Sequence, residues 1–457
     1  MKKFMDEDFL LTNDTAKKLY RNYAREMPVL DYHNHLSPRE IFQRKKFANL
    51  TELWLAHDHY RWSAMRLCGV DEDNITGRAS DYEKFCALAE IMPLLIGHPV
   101  YYWTHLELKR FFNIEKQLCP ETAREIWDKT EDLLQSEGFD AVSLLEKMNV
   151  RALCTTDDPA DSLEWHIKCK SDPSMPFAVY PSFRPDRFLG IDKPAWHAAI
   201  RQAGVNTFGE LTAYLTASLE RFCDLGCRSS DHGLTVFRYA SGDADDVMRR
   251  ALDREPLSET DISIFQGQLL RELAAAYRKK SIVMQLHMGA QRNNSPKLFS
   301  LLGADAGGDS VGQAVNICGL TAFLGDLERI DALPKTVLYS LNAGDTDELA
   351  TLALTFASGG AKVRVGAAWW FQDHKRGIEE QLDRLMPLGL LPGFPGMLTD
   401  SRSVTSFVRH EYFRRILCNK LGELAENGQY GGSIDDLGAL VRRLSYGNTR
   451  LFFGFSE

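Results

Sequence analysis

Short apolar or β-branched runs recur along the chain, each closing on polar or glycine-rich residues and each followed by a longer stretch with helical spacing. In order they read PVLDYHNHL (28–36), VRALCTTDDP (150–159), FAVYPSFRPD (177–186), GCRSSDHG (226–233), SIVMQLHMGA (281–290), TVLYSLNAGD (336–345), KVRVGAAWWF (362–371) and GMLTDSRS (396–403). Strands alternating with helices imply parallel βαβ units, and eight of them predict an α/β protein closed into a (β/α)8 barrel. The segment LSETDISIFQGQLLRELAAAYRKK from Leu257 is long, amphipathic and basic at its C-terminal end, and leads straight into the fifth strand.

Such a barrel takes about 250 residues, whereas the chain has 457. We read residues 1–457 as one barrel domain, with much of the surplus in a helical insertion over 36–149. That insertion leaves the C-terminal end of the first strand, so it is expected to lie over the barrel mouth as a lid. Its aromatic stripes, as in LTELWLAHDHYRWSAMRL and PVYYWTHLELKRFFNI, fit ordinary helix packing. His57, His59 and Tyr60 are set apart as groups that could reach a site. No internal repeat and no glycine-rich nucleotide fingerprint occurs.

Composition narrows the function classes. Hydrophobic residues at 44% and charged residues at 26% are those of a globular protein. A net charge of −9 argues against a nucleic-acid binder, while a few local arginines could still recruit a small anion. The nine cysteines include no Cys-x-x-Cys pair, which points to a reducing compartment, and Cys223 and Cys227 read as structural thiols. MKKFMDEDFLL has acidic residues where a signal core would be apolar, and no run approaches the ~20 apolar residues of a membrane span. A soluble cytoplasmic protein without a membrane partner is expected.

Candidate chemistry collects at the strand ends, which form the active site in this fold. In DYHNHLSP, His33 and His35 project to one face of the first strand and Asn34 to the other. A His-x-His pair alone is a weak signal. Barrel closure places the eighth strand beside the first, so Asp400 in LTDSRS lies next to the pair. The alternative for Asp400 is a helix N-cap. Two imidazoles and one carboxylate suffice to hold a divalent ion with positions left open. Arg184 and Arg402 at the rim suit carboxylate recognition, and Trp369 and Trp370 suit the face of a sugar ring. Other polar strand ends are Thr155 to Asp158, Asp186, Asp231, His232, His287, Asn342 and Asp345.

These strings together resemble the uronate isomerases of the amidohydrolase superfamily. The match runs from FMDEDFLL and DYHNHLSP through DHYRWSAMR, IGHPVYYWTHLELKRFF, TTDDPADSLEWH, SFRPD, SDHG and QLHMGAQRNN to WWF and GMLTDSRS…RHEYFRR. The resemblance implies a metal-dependent barrel that interconverts D-glucuronate with D-fructuronate and D-galacturonate with D-tagaturonate. It implies His33, His35 and Asp400 as ligands of one divalent ion, Zn²⁺ before Mn²⁺, Fe²⁺ or Co²⁺. Arg184, Arg402 and His59 would hold the substrate's carboxylate and hydroxyls, Trp369 and Trp370 would wall the site, and His287 would lie nearer substrate than ion. Asp400, Tyr60 and Arg402 would be the catalytic groups. Asn342, where hydrolytic members of the superfamily place a histidine, and the lack of a fourth-strand lysine favour a single ion. Family members also tend to form homo-oligomers. A one-metal hydrolase and a sugar-acid binding module remain as rival readings.

Overall fold

The structure is a computed structural model and describes residues 3–456. Strands β1 (Val29–Asp31), β2 (Val150–Cys154) and β3 (Ala178–Tyr180) pair in parallel in that order. β4 (Ser229–Leu234) and β5 (Val283–Met288) begin a second parallel set. A small antiparallel ribbon follows, β6 (Ala290–Gln291) with β7 (Ser310–Val311), and then β8 (Thr336–Ser340) and β9 (Val363–Val365) extend the set in the order β4-β5-β8-β9. Phe183 joins the two sets through parallel bridges to Asp157 and Ser230. Seven of the eight predicted strands therefore form a continuous parallel curve.

The eighth differs. GMLTDSRS is extended but carries no regular ladder among the described residues. Pro395 has no N–H to donate, and Gly396 (φ +94°) and Asp400 (φ +47°) sit in left-handed backbone, so a run of pleated residues cannot persist there. The segment still occupies the eighth position: Asp400 N donates to His33 O at 3.1 Å and His35 N to Ser401 O at 2.8 Å. The other strands are also shorter than the apolar runs that predicted them. In β1, β2, β3, β8 and β9 the polar C-terminal halves leave the ladder and become the rim, whereas β4 and β5 stay paired through Leu234 and Met288.

The helix predicted from Leu257 spans Glu259–Lys280, opened by a Ser258–Asp261 capping box and closed by Arg278, Lys279 and Lys280 in its last turn. Seven helices lie between β1 and β2 within 38–147, and their aromatic residues Trp54, Phe85, Trp103 and Phe112 are core. No single helix among the described residues is long and apolar enough to cross a membrane.

A buried ion-pair triad ties this segment to the barrel. Arg110, on the helix Pro99–Phe112, grips Glu411 with two bonds of 2.7 Å, and Arg415 donates to the same carboxylate at 2.9 Å. Burial pushes the Glu411 carboxyl up, but the two guanidiniums outweigh it and bring it down to about 2. A depressed carboxyl stabilises the fold above its unfolded pKa, and that stability is lost as pH falls through the folded value. Glu411→Gln is expected to cost about 3 kcal/mol at pH 7, with the deficit vanishing between roughly pH 4.5 and 2. Urea titrations across that range measure it.

Candidate metal centre and substrate chamber

β1 ends at Asp31, whose buried carboxylate accepts Thr399 N at 3.2 Å and the Thr399 hydroxyl, pinning the first and eighth positions together. The two following histidines then meet the eighth segment. Asp400 Oδ1 lies 3.2 Å from His33 Nε2 and 3.0 Å from His35 Nε2. Asp400 Oδ2 accepts the Trp369 indole N–H at 2.8 Å. Asn34 turns the other way and accepts Leu36 N. Asp400 caps no helix; its left-handed backbone instead aims one oxygen at both imidazoles.

This set fits a divalent ion. Donor atoms about 2.1 Å from a tetrahedral ion stand about 3.4 Å apart, close to the spacings found. Burial pushes the Asp400 carboxyl up, yet bonds from His33 and His35 hold it well below the usual carboxylate range. Burial lowers His35 to about 4, so its ring is neutral and free to ligate. His33 rises instead, because the charge of Asp231 and Asp400 outweighs its burial.

A chamber of about 260 Å³ opens above, lined by His33, His35, His59, Arg184, Asp231, His287, Arg292, Asp305, Trp369, Trp370, Asp400 and Arg402 among others. Arg184 is set by Asp186 (Nε to Oδ2, 2.8 Å) and Asp231 (Nη1 to Oδ2, 3.1 Å). Gly233 leaves room beside it: a Cβ there would meet Arg184 Nη2 at 2.8 Å and displace the guanidinium. His287 donates from Nδ1 to Asp231 Oδ1 at 2.7 Å and stacks on Tyr339 at 4.2 Å. Its Nε2 has no partner among the described residues. Trp370, in left-handed backbone, meets the His59 ring at 5.1 Å.

His59 and Tyr60 begin the helix His59–Leu67, capped by Asp58. Tyr60 lies in an adjoining cavity that shares His59, Asp400 and Arg402 with the chamber, rather than on the chamber wall. Its buried hydroxyl has no partner among the described residues, and Arg409 sits 5.0 Å over its ring. Burial pushes the phenol well above its ordinary value.

Several strand-end residues are structural. Asn342 caps the turn Ala343–Asp345, and Asp345 accepts from Ser340 and Val315. Asp157 accepts from Thr155, and Asp158 pairs with Arg187. His232, one residue from Asp231, faces Tyr277 on the opposite side of the strand. Arg292 and Asp305 are the groups that the sequence reading did not name, and Asp231 was named there only as a polar strand end, with no role. Asp231 shared a strand end with His232, and alternation from an inward neighbour was the signal available. His33, Asp231 and His287 also form a second donor group, but there the carboxylate already neutralises Arg184.

The family model described as Glucuronate isomerase matches residues 1–453. Uronate isomerase of Histophilus somni (strain 2336) is 45% identical, the alignment covering 99% of this chain and all of that protein. That of Caldicellulosiruptor bescii is also 45% identical over the full length of both. The crystal structure of uronate isomerase from Thermotoga maritima superposes with a TM-score of 0.94 at 37% identity, covering 99% of this chain and 100% of that one. Glucuronate isomerase from Caulobacter crescentus shares the fold at 22% identity, with a TM-score of 0.91 over 99% of this chain and 97% of its own. The chain belongs to the glucuronate isomerase family, enzymes that isomerise uronates between aldose and ketose forms.

Proposed function

We propose that the chain interconverts D-glucuronate with D-fructuronate and D-galacturonate with D-tagaturonate at His33, His35 and Asp400, with one divalent ion held by those three side chains. The observation that carries the reading is the convergence of both imidazole Nε2 atoms on a single Asp400 oxygen, in a chamber that also presents Arg184 and Arg402. An ion bound there would supply Lewis-acid stabilisation of negative charge on substrate oxygen. Zn²⁺ suits the two imidazoles and carboxylate best.

Asp400, anionic through the neutral range, takes the proton from the carbon beside the carbonyl and returns it to the neighbouring carbon. Tyr60 keeps its proton at neutral pH, gives it to the substrate's carbonyl oxygen and regains one from the neighbouring hydroxyl, so that it relays protons to and from the two oxygens. Arg184 and Arg402, with His59, hold the carboxylate and hydroxyls and fix the register of the chain of carbons. Trp369 and Trp370 wall the ring face, and His287 offers its bare Nε2 to a hydroxyl. The 36–149 segment acts as the lid that carries His59 and Tyr60. A cytoplasmic location, supported by nine free thiols, and homo-oligomeric association complete the proposal.

Assays of the purified protein with glucuronate and galacturonate, before and after chelation, test it. Isomerisation is expected to fall at least about 100-fold on chelation and to return with Zn²⁺, Mn²⁺ or Co²⁺. Full activity in the metal-free protein would sink the metal assignment. In D₂O, the proton route places deuterium at the carbon next to the carbonyl, whereas a hydride shift leaves it unlabelled.

A further inference from the structure

Arg402 and Arg292 reach the chamber from different loops, and one carboxylate holds both. Asp305 Oδ2 lies 3.1 Å from Arg402 Nη2, and its Oδ1 lies 3.4 Å from Arg292 Nη1. The Asp305 side chain is half exposed, at 50%. On its outer side lies a second cavity of about 610 Å³, between the helices of the insertion and the loop after β6. Ala304, Asp305 and Arg402 line both cavities. The ion pair is thus the partition between them.

The loop that carries Asp305 is held on both sides of it. Gly303, Asp305 and Gly307 have φ of +81°, +58° and +85°, and a Cβ at Gly307 would meet Ser63 Oγ at 2.5 Å. Arg66, on the helix that begins with His59, donates to the Ala306 carbonyl. The Asp305 backbone is fixed on the rim while its side chain is open to water. The two arginines are paired unequally. Arg292 also contacts the buried Asp309 at 3.2 Å and lies 4.8 Å over Trp370, so it keeps a counter-ion when Asp305 leaves. Arg402 pairs with Asp305.

We propose that Asp305 is a specificity residue that stands in for the substrate's carboxylate, occupying Arg402 and Arg292 in the free protein and yielding them to a hexuronate arriving from the outer cavity. The proposal rests on the uronate reading, which brings a carboxylate to Arg402. Exchange of one carboxylate for another on guanidiniums whose side chains are 26% and 35% exposed, against a half-exposed Asp305, is nearly balanced, since such solvent-reached ion pairs are individually weak. A neutral aldose has no charge with which to displace Asp305, so the partition stays closed to it. Selection of the acid over the parent sugar follows from this competition.

Asp305→Ala tests the inference, with acetate as the probe. KM for glucuronate is expected to fall about three- to five-fold with kcat within about two-fold, because the resident competitor is gone. Acetate binding, read by calorimetry, should tighten by a similar factor, and adding Arg292→Ala should erase the gain. Acetate affinity that is unchanged or weaker in Asp305→Ala overturns the proposal, as does a KM that rises. Acetate binding needs no turnover, so a protein inactive on both hexuronates would refute the proposed function while calorimetry still decides the role of Asp305.

Discussion

Replacing Asp400 with asparagine is expected to lower kcat for hexuronate isomerisation by about three to four orders of magnitude and to abolish binding of the proposed divalent ion. The geometry leaves the amide no good orientation. Oδ2 accepts the Trp369 N–H at 2.8 Å, and Oδ1 faces the His33 and His35 Nε2 atoms at 3.2 and 3.0 Å. An amide NH₂ must replace one of these oxygens, opposing either the indole donor or the proposed ion beside the imidazoles. Both the anionic ligand and the proton acceptor are lost together. Metal analysis beside steady-state kinetics separates them: an ion retained with no turnover would assign Asp400 to proton transfer alone. A variant that binds metal and turns over normally would remove it from the mechanism.

Much of this centre could be read from the chain, for a physical reason. His33 and His35 share a strand face by period two, and barrel closure puts the eighth segment beside them. The backbone bond from Asp400 N to His33 O is that adjacency realised. The prediction of a regular eighth strand failed because Gly396 and Asp400 take left-handed backbone, and φ is not written in a hydrophobicity pattern. That same departure aims Asp400 at the histidines. Tyr60 was legible as a group returning from the insertion, but its seat in an adjoining cavity depends on Trp103 and Arg409, which pack from distant segments. Asp305 was silent in sequence because a loop aspartate has no periodicity. Its meaning comes from two arginines that only the folded chain brings within reach.

Asp231 is legible in sequence only as a polar strand end, yet its two partners make it matter, and Asp231→Asn is expected to lower kcat/KM about 100- to 1,000-fold. The carboxylate is 1% exposed and divides its oxygens between His287 Nδ1 at 2.7 Å and Arg184 Nη1 at 3.1 Å. Burial pushes this carboxyl up, but the charge of Arg184, then of His33 and His287, holds it well below the usual range. Anionic Asp231 therefore fixes the proton of His287 on Nδ1 and leaves Nε2 bare toward the chamber. An asparagine can accept from His287 only by presenting its NH₂ to a guanidinium, or accept from Arg184 only by presenting NH₂ to the imidazole. In the first case Arg184 loses one of two counter-ions and swings from the position proposed to bind the substrate's carboxylate, so KM rises. In the second the imidazole is driven to the other tautomer, so kcat falls. Breaking this buried pair is also expected to cost about 2 kcal/mol of stability, read by denaturant unfolding. Comparison with Asp186→Asn discriminates the two kinetic routes, because Asp186 touches Arg184 but not His287: it should raise KM and spare kcat. Kinetic constants within two-fold of the parent in Asp231→Asn would show that neither the His287 tautomer nor the Arg184 position limits the reaction.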